Sequence, residues 1–128
     1  MASIFIIEND LSLQTLYEKI LKFGGFQVIG TALTGVEAIS KLKSLSEKPD
    51  IILMDYRMPV KNGIETIKEI LIFDKDAQII IASGDGSVRN LVLRIGAKKF
   101  LKKPFSCKKL VDMIQELSTN FCNLSSIT

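Results

Sequence analysis

Histidine and tryptophan are absent from this 128-residue chain, and it carries only two cysteines, Cys107 and Cys122. Without histidine, two isolated thiols fit neither a zinc site nor the dense disulfide framework of small secreted proteins, so both read as free thiols. The missing tryptophan removes the side chain best suited to stack on a flavin. No run approaches the roughly 20 consecutive apolar residues of a membrane-spanning helix. The opening Met1-Ala2-Ser3 leads into a strand-like segment without a basic leader or a cleavage site, so a cytoplasmic protein is expected. Charge of one sign is also scarce. The formal net charge is +3, and much of it comes from the lysine pairs at 98–99, 102–103 and 108–109. Short runs of this kind usually form a solvated face, and any polyanionic partner would have to be met by that region alone.

What is present is apolar residue, 47% of the chain with a mean hydropathy of +0.27, ample for one packed core. The hydrophobic period switches five times between continuous runs and helical spacing, as βα units do. The first strand is Ile4 to Ile7. Its helix shows Leu13, Leu16, Tyr17, Ile20 and Leu21 on one face and stops at Gly24-Gly25. A second strand covers about Phe26 to Ala32. Thr34 and Glu37 then form a capping box for a helix carrying Val36, Ile39 and Leu42, which ends before Pro49. The third unit has a strand at Ile51 to Met54 and a helix turning Ile64, Ile67, Ile70 and Leu71 inward. The fourth has a strand at Gln78 to Ala82 and a helix with Val88, Leu91, Val92 and Ile95, stopped by Gly96. The fifth strand lies around Lys99 to Leu101, and the last helix buries Leu110, Met113, Ile114 and Leu117. One domain over residues 1–119 is expected, with a frayed polar tail at 120–128.

Ile51-Ile52-Leu53-Met54 drives straight into Asp55, and four consecutive large apolar residues indicate a strand buried on both faces of a parallel sheet. Asp55 therefore stands at a carboxyl end, the edge where open α/β sheets bind ligands. The loops after strands 1, 4 and 5 deliver further polar groups to that edge: Glu8 and Asn9, then Ser83, then Lys103. Clustered Glu, Asn and Asp oxygens suit a hard divalent cation such as Mg²⁺, and a carboxylate can attack phosphorus to form an aspartyl phosphate. A cation, a lysine ammonium and a serine hydroxyl form a sufficient set for phosphoryl transfer, which asks mainly for in-line positioning and charge neutralisation. Each position also has a plainer reading. Ser83 would cap the next helix, Phe100 would be core, Gly63 would supply a positive φ and Pro59 would start a turn.

Over residues 3 to 118 the chain resembles the CheY-like receiver domains of two-component response regulators. Ile6-Ile7-Glu8-Asn9-Asp10 resembles the acidic pair after strand 1, and Asp55-Tyr56-Arg57-Met58-Pro59 with Gly63 resembles the phosphorylation loop. Ala82-Ser83-Gly84 resembles the switch hydroxyl, and Phe100 with Lys103-Pro104-Phe105 resembles the switch aromatic and the Lys-Pro loop. The resemblance implies a flavodoxin-like, doubly wound (βα)5 fold with strand order 2-1-3-4-5. It implies Asp55 as phosphoacceptor, Lys103 as partner of the acyl phosphate, and Ser83 and Phe100 as the switch pair. Glu8, Asn9, Asp55 and the Arg57 backbone carbonyl would hold Mg²⁺.

Asn9 departs from the family, where a second carboxylate is usual. Asp10 does not replace it, being better placed as the N-cap of the first helix. Weaker Mg²⁺ binding and slower phosphorylation are expected. Arg57 and Asp85 stand at positions that in receivers set how fast the phosphoryl group is lost, and their opposite charges would pair across the pocket mouth. The expected function is a phosphoacceptor switch with no enzymatic turnover, charged by a sensor histidine kinase or phosphotransfer protein. Output would pass by protein contact through the face of helix 4, strand 5 and helix 5, without a DNA-binding domain in this chain. The alternative is a degenerate receiver that binds partners constitutively, for which Asn9 speaks. A flavodoxin-type cofactor binder is opposed by the lack of a Ser/Thr/Gly-rich phosphate loop after strand 1.

Overall fold

The computed structural model describes residues 2–58 and 62–127, with side chains as far as residue 118. Pro59 and the Cys122 thiol lie outside the described residues. Five βα units follow one another: β1 (Ser3–Ile7), α1 (Leu11–Phe23), β2 (Gln27–Ala32), α2 (Gly35–Ser44), β3 (Ile51–Asp55), α3 (Gly63–Phe73), β4 (Gln78–Ser83), α4 (Arg89–Ile95), β5 (Lys99–Lys102) and α5 (Cys107–Ile127). The strands form one parallel sheet in the order β2-β1-β3-β4-β5, as expected for a flavodoxin-like doubly wound fold. The backbone of α5 continues as helix through the segment expected to fray. No described helix is long and apolar enough to cross a membrane.

The continuous apolar runs arise because successive strand residues feed two different cores. Phe5, Ile7, Ile52, Met54, Ile79 and Ile81 face Ile39, Leu42, Ile67, Ile70 and Val92 of α2, α3 and α4. Ile4, Ile6, Ile51, Leu53, Ile80 and Leu101 face Tyr17, Leu21, Leu110, Ile114 and Leu117 of α1 and α5. Side chains alternate across a strand, so a sheet covered on both faces needs apolar residues at every position.

The helix phases depart from the sequence reading at three places. Leu16, Val36 and Leu91 are exposed, at 49%, 52% and 40%. On α1 the buried positions are Gln14, Tyr17 and Leu21, a stripe of spacing three and four. Leu16 stands about 100° round the helix from Tyr17 and so falls on the solvent side. In α2 the inward stripe is Gly35, Ala38, Ile39 and Leu42, and in α4 Val92 is the buried residue.

Register positions the site. Ile7 pairs with Met54, Asp55 with Ala82, and Ser83 with Lys102, so the carboxyl ends of β1, β3, β4 and β5 finish along one edge. Asp10 closes the turn after β1 by capping α1, its carboxylate accepting from the Ser12 and Leu13 amides. Thr34 caps α2 by accepting from the Glu37 amide at 3.1 Å. Gly63 is not in the left-handed region. A Cβ there would meet the Tyr56 carbonyl oxygen at 3.0 Å and its Cα at 3.1 Å, so glycine is required for close approach of two backbones.

Candidate functional site

Lys103 lies immediately beyond β5, where its backbone N–H donates to the Ser83 carbonyl at 2.8 Å; the Lys103–Pro104 peptide bond is cis. Its side chain turns back across the sheet edge. Nζ donates to Glu8 Oε1 at 3.0 Å and to Asp55 Oδ1 at 3.1 Å. Glu8 is buried and Asp55 nearly so, which leaves one ammonium between two carboxylates and a local formal charge of minus one. Burial alone would lower the Lys103 pKa. The hydrogen bond to Glu8 and the charges of Asp55 and Glu8 outweigh it and hold the ammonium above its ordinary value.

The other oxygen of Glu8, Oε2, accepts from the Asp10 amide at 3.1 Å, so both of its oxygens are directed. Asn9 is exposed, and its Nδ2 donates to the Leu33 carbonyl at 3.3 Å. The amide thus engages the β2–α2 loop, whereas the structure brings Glu8, Asp55 and Lys103 into direct contact.

Ser83, the last residue of β4, is buried, and its Oγ accepts from the Asp85 amide at 3.1 Å. It does not cap the following helix. That role falls to Asp85, which opens a 3-10 turn at Gly86–Val88 and accepts from the Ser87 amide at 3.0 Å and the Ser87 hydroxyl at 2.6 Å. The Ser87 hydroxyl, then its amide, hold the Asp85 carboxyl below the usual range, with Arg57 adding to the effect. Arg57 Nη2 stands 3.6 Å from Asp85 Oδ2 across the mouth of the site. Phe100 of β5 is half-buried against the core under α2, α3 and α4. It borders a cavity of about 550 Å³ that is also lined by Arg89, Lys102, Lys109 and Met113.

Two residues of the site region were not singled out in the sequence for a role there. Gln14 is buried in α1, and its Nε2 donates to the Ala32 carbonyl at 2.8 Å and the Glu8 carbonyl at 3.4 Å. The signal was a polar residue in phase with Tyr17 and Leu21. Tyr17 was read as ordinary core, yet its ring stacks on Phe105, centroids 5.6 Å apart, two residues beyond Lys103. Burial pushes its phenol up to about 12, with Lys103 opposing and Glu8, Asp55 and Asp10 reinforcing.

The donors expected at this edge are oxygens: the Glu8 and Asp55 carboxylates, which meet on Lys103, and the Asn9 amide and Arg57 backbone carbonyl that the family resemblance implies. Among the described residues no group of three or more acidic or thiol side chains gathers that could hold a metal ion by itself. Mg²⁺ commonly takes only one or two carboxylates and keeps several waters, so this donor set fits it.

Comparison with known proteins agrees with the geometry. Residues 4–115 match the family model described as the response regulator receiver domain. The chemotaxis protein CheY of Thermotoga maritima is 36% identical over 117 residues, covering 90% of this chain and 96% of that protein. CheY of Bacillus subtilis is 33% identical over 115 residues, with 88% and 94% covered. Among solved structures, a chain of the CheX–CheY–BeF3–Mg²⁺ complex from Borrelia burgdorferi superposes with a TM-score of 0.85 at 30% identity, covering 91% of this chain and 88% of that one. A receiver domain protein from Clostridium thermocellum, 23% identical, shares the fold with a TM-score of 0.88 over 97% of this chain and 99% of its own.

Proposed function

The chain belongs to the response regulator receiver domain family, and from that membership we propose that it is a switch charged by phosphorylation of Asp55. The observation that carries the proposal is Lys103 Nζ held between Glu8 and Asp55 at the carboxyl edge of the sheet. A half-buried lysine at the end of a parallel strand, bonded to two acids, is poised to pair with a new anion there.

In the reaction an Asp55 carboxylate oxygen attacks phosphorus of a phosphohistidine on a sensor kinase or phosphotransfer protein. A phosphorus–oxygen bond forms, the phosphorus–nitrogen bond breaks, and the electron pair leaves on the imidazole. Lys103 neutralises the added charge by pairing with a phosphoryl oxygen. Glu8, Asn9, Asp55 and the Arg57 carbonyl would hold Mg²⁺, which supplies further positive charge at the transferring group. The Ser83 hydroxyl gives up the Asp85 amide and donates to the phosphoryl group, and Phe100 turns inward into the space beside it. The face of α4, β5 and α5 then changes its affinity for a protein target. Exposed Lys98, Lys102 and Lys109 on or near that face favour an acidic surface through electrostatic steering. A cytoplasmic setting, shared with the donor protein, is part of the proposal.

The test is an amide NMR titration with beryllofluoride and Mg²⁺, a mimic of the phosphoryl group. Coupled shifts at Asp55, Ser83 and Phe100, absent in Asp55→Asn, are expected. An unchanged spectrum would support instead a module that binds its partners constitutively.

A further inference from the structure

Beyond the bond from the Lys103 N–H to the Ser83 carbonyl at 2.8 Å, the loop that carries Lys103 has few anchors. Between the end of β5 at Lys102 and the start of α5 at Cys107, Pro104 and Ser106 are exposed, and Phe105 is the one side chain of that loop packed against the α1–α5 core. Its contact is the Tyr17 ring, stacked with centroids 5.6 Å apart and planes inclined by 23°. Tyr17 is itself buried and fixed by α1, the helix that begins directly after Glu8 through the Asp10 cap. On the far side of Phe105, Ser106 caps α5 by accepting from the Lys109 amide at 3.0 Å. One aromatic pair thus ties the segment bearing Lys103 to the helix that follows Glu8.

We propose that Tyr17 is a positioning residue for phosphoryl transfer, acting through Phe105 to hold Lys103 between Glu8 and Asp55. The inference rests on Asp55 being the phosphoacceptor and deepens that reading. Tyr17 touches neither donor nor phosphoryl group. It removes freedom from the loop so that the ammonium is already in place when charge develops, and a misplacement of about 1 Å in such a group costs up to about 100-fold in rate. The ring does this and the hydroxyl does not, so phenylalanine is sufficient at the position.

The experiment compares wild type with Tyr17→Phe, Tyr17→Leu, Phe105→Leu and the double leucine variant. Phosphorylation by a small acyl-phosphate donor, followed by intact mass, should be preserved in Tyr17→Phe and slowed on the order of tenfold in Tyr17→Leu. Phe105→Leu should match it, and the double variant should be no slower than either single one, because both remove the same contact. Mg²⁺ affinity by calorimetry should stay within about twofold, since no metal-facing residue is changed. Independently of any phosphorylation, ¹³C relaxation of the Lys103 Cε methylene should report an ordered side chain in wild type and Tyr17→Phe and a freely averaging one in Tyr17→Leu. An ordered Lys103 in Tyr17→Leu, or strictly additive rate losses, would overturn the positioning role. A wild type that takes no phosphoryl group, yet shows the same relaxation contrast, would overturn the phosphoacceptor reading and leave the aromatic tie standing.

Discussion

Asn9 and Arg57 are the residues at which this chain departs most from a symmetrical cluster of acids. Asn9 stands in the loop proposed to face Mg²⁺, where it offers an uncharged oxygen, and its amide donates to the Leu33 carbonyl. Asn9→Asp adds a third carboxylate beside Glu8 and Asp55, so it should tighten Mg²⁺ by about tenfold, measured by calorimetry; an unchanged affinity would remove Asn9 from the ligand set. The factor corresponds to roughly 1.4 kcal/mol, modest for one added charge. Arg57 and Asp85 form an exposed, solvent-screened pair that contributes little to stability. Its proposed effect is on water. Arg57→Ala should shorten the phosphoaspartate lifetime several-fold with Tm almost unchanged, read by the decay of the mass adduct. Asp55 and Glu8 were legible at this scale because each is the first polar residue after an apolar strand, and Lys103 because Pro104 follows it directly beyond the fifth strand. The Asn9 contact was not, because a carbonyl from a different loop directs its amide.

Among the elements, strands were more legible than helices. A strand buried on both faces is a run of apolar residues with clear ends, and each observed strand lies within a residue or so of its expected span. Helix phase depends on a few residues, and in α1 a buried Gln14 replaced the expected Leu16. Polar Gln14 earns no place on an apolar stripe until the two carbonyls it satisfies are known. The end of α4 is set by Gly96, whose φ of +128 lies where side chains are strained and where a Cβ would stand 2.5 Å from Leu71 Cδ1. Gly96→Ala should therefore cost about 1–3 kcal/mol in urea unfolding, mainly from backbone strain, since the Leu71 methyl can rotate aside. Unchanged stability would mean that the α4–β5 turn relaxes without penalty.

For the molecule as a whole, buried Tyr17 and half-buried Lys103 set an alkaline limit. Tyr17 ionises near 10.0 when unfolded and near about 12 when folded, so the native state binds the extra proton between those values and stability falls as pH rises. Lys103, also raised, acts in the same direction: its contribution is complete below its ordinary value of 10.5 and disappears as pH passes its folded value. At about 1.4 kcal/mol per pKa unit, Tyr17 accounts for a loss on the order of 2–3 kcal/mol. Urea unfolding from about pH 9 to about 12, across the Tyr17 titration, should show this decline, shallower in Tyr17→Phe; parallel slopes would mean that the phenol does not couple to folding.

Acceptance of a phosphoryl group on Asp55 by the Glu8, Asp55 and Lys103 cluster is read directly from intact mass after incubation with a small acyl-phosphate donor. One phosphoryl adduct is predicted in the presence of Mg²⁺, lost on chelation and absent from Asp55→Asn. No adduct at high Mg²⁺, with Asn9→Asp failing to restore it, or an adduct that survives in Asp55→Asn, would contradict it.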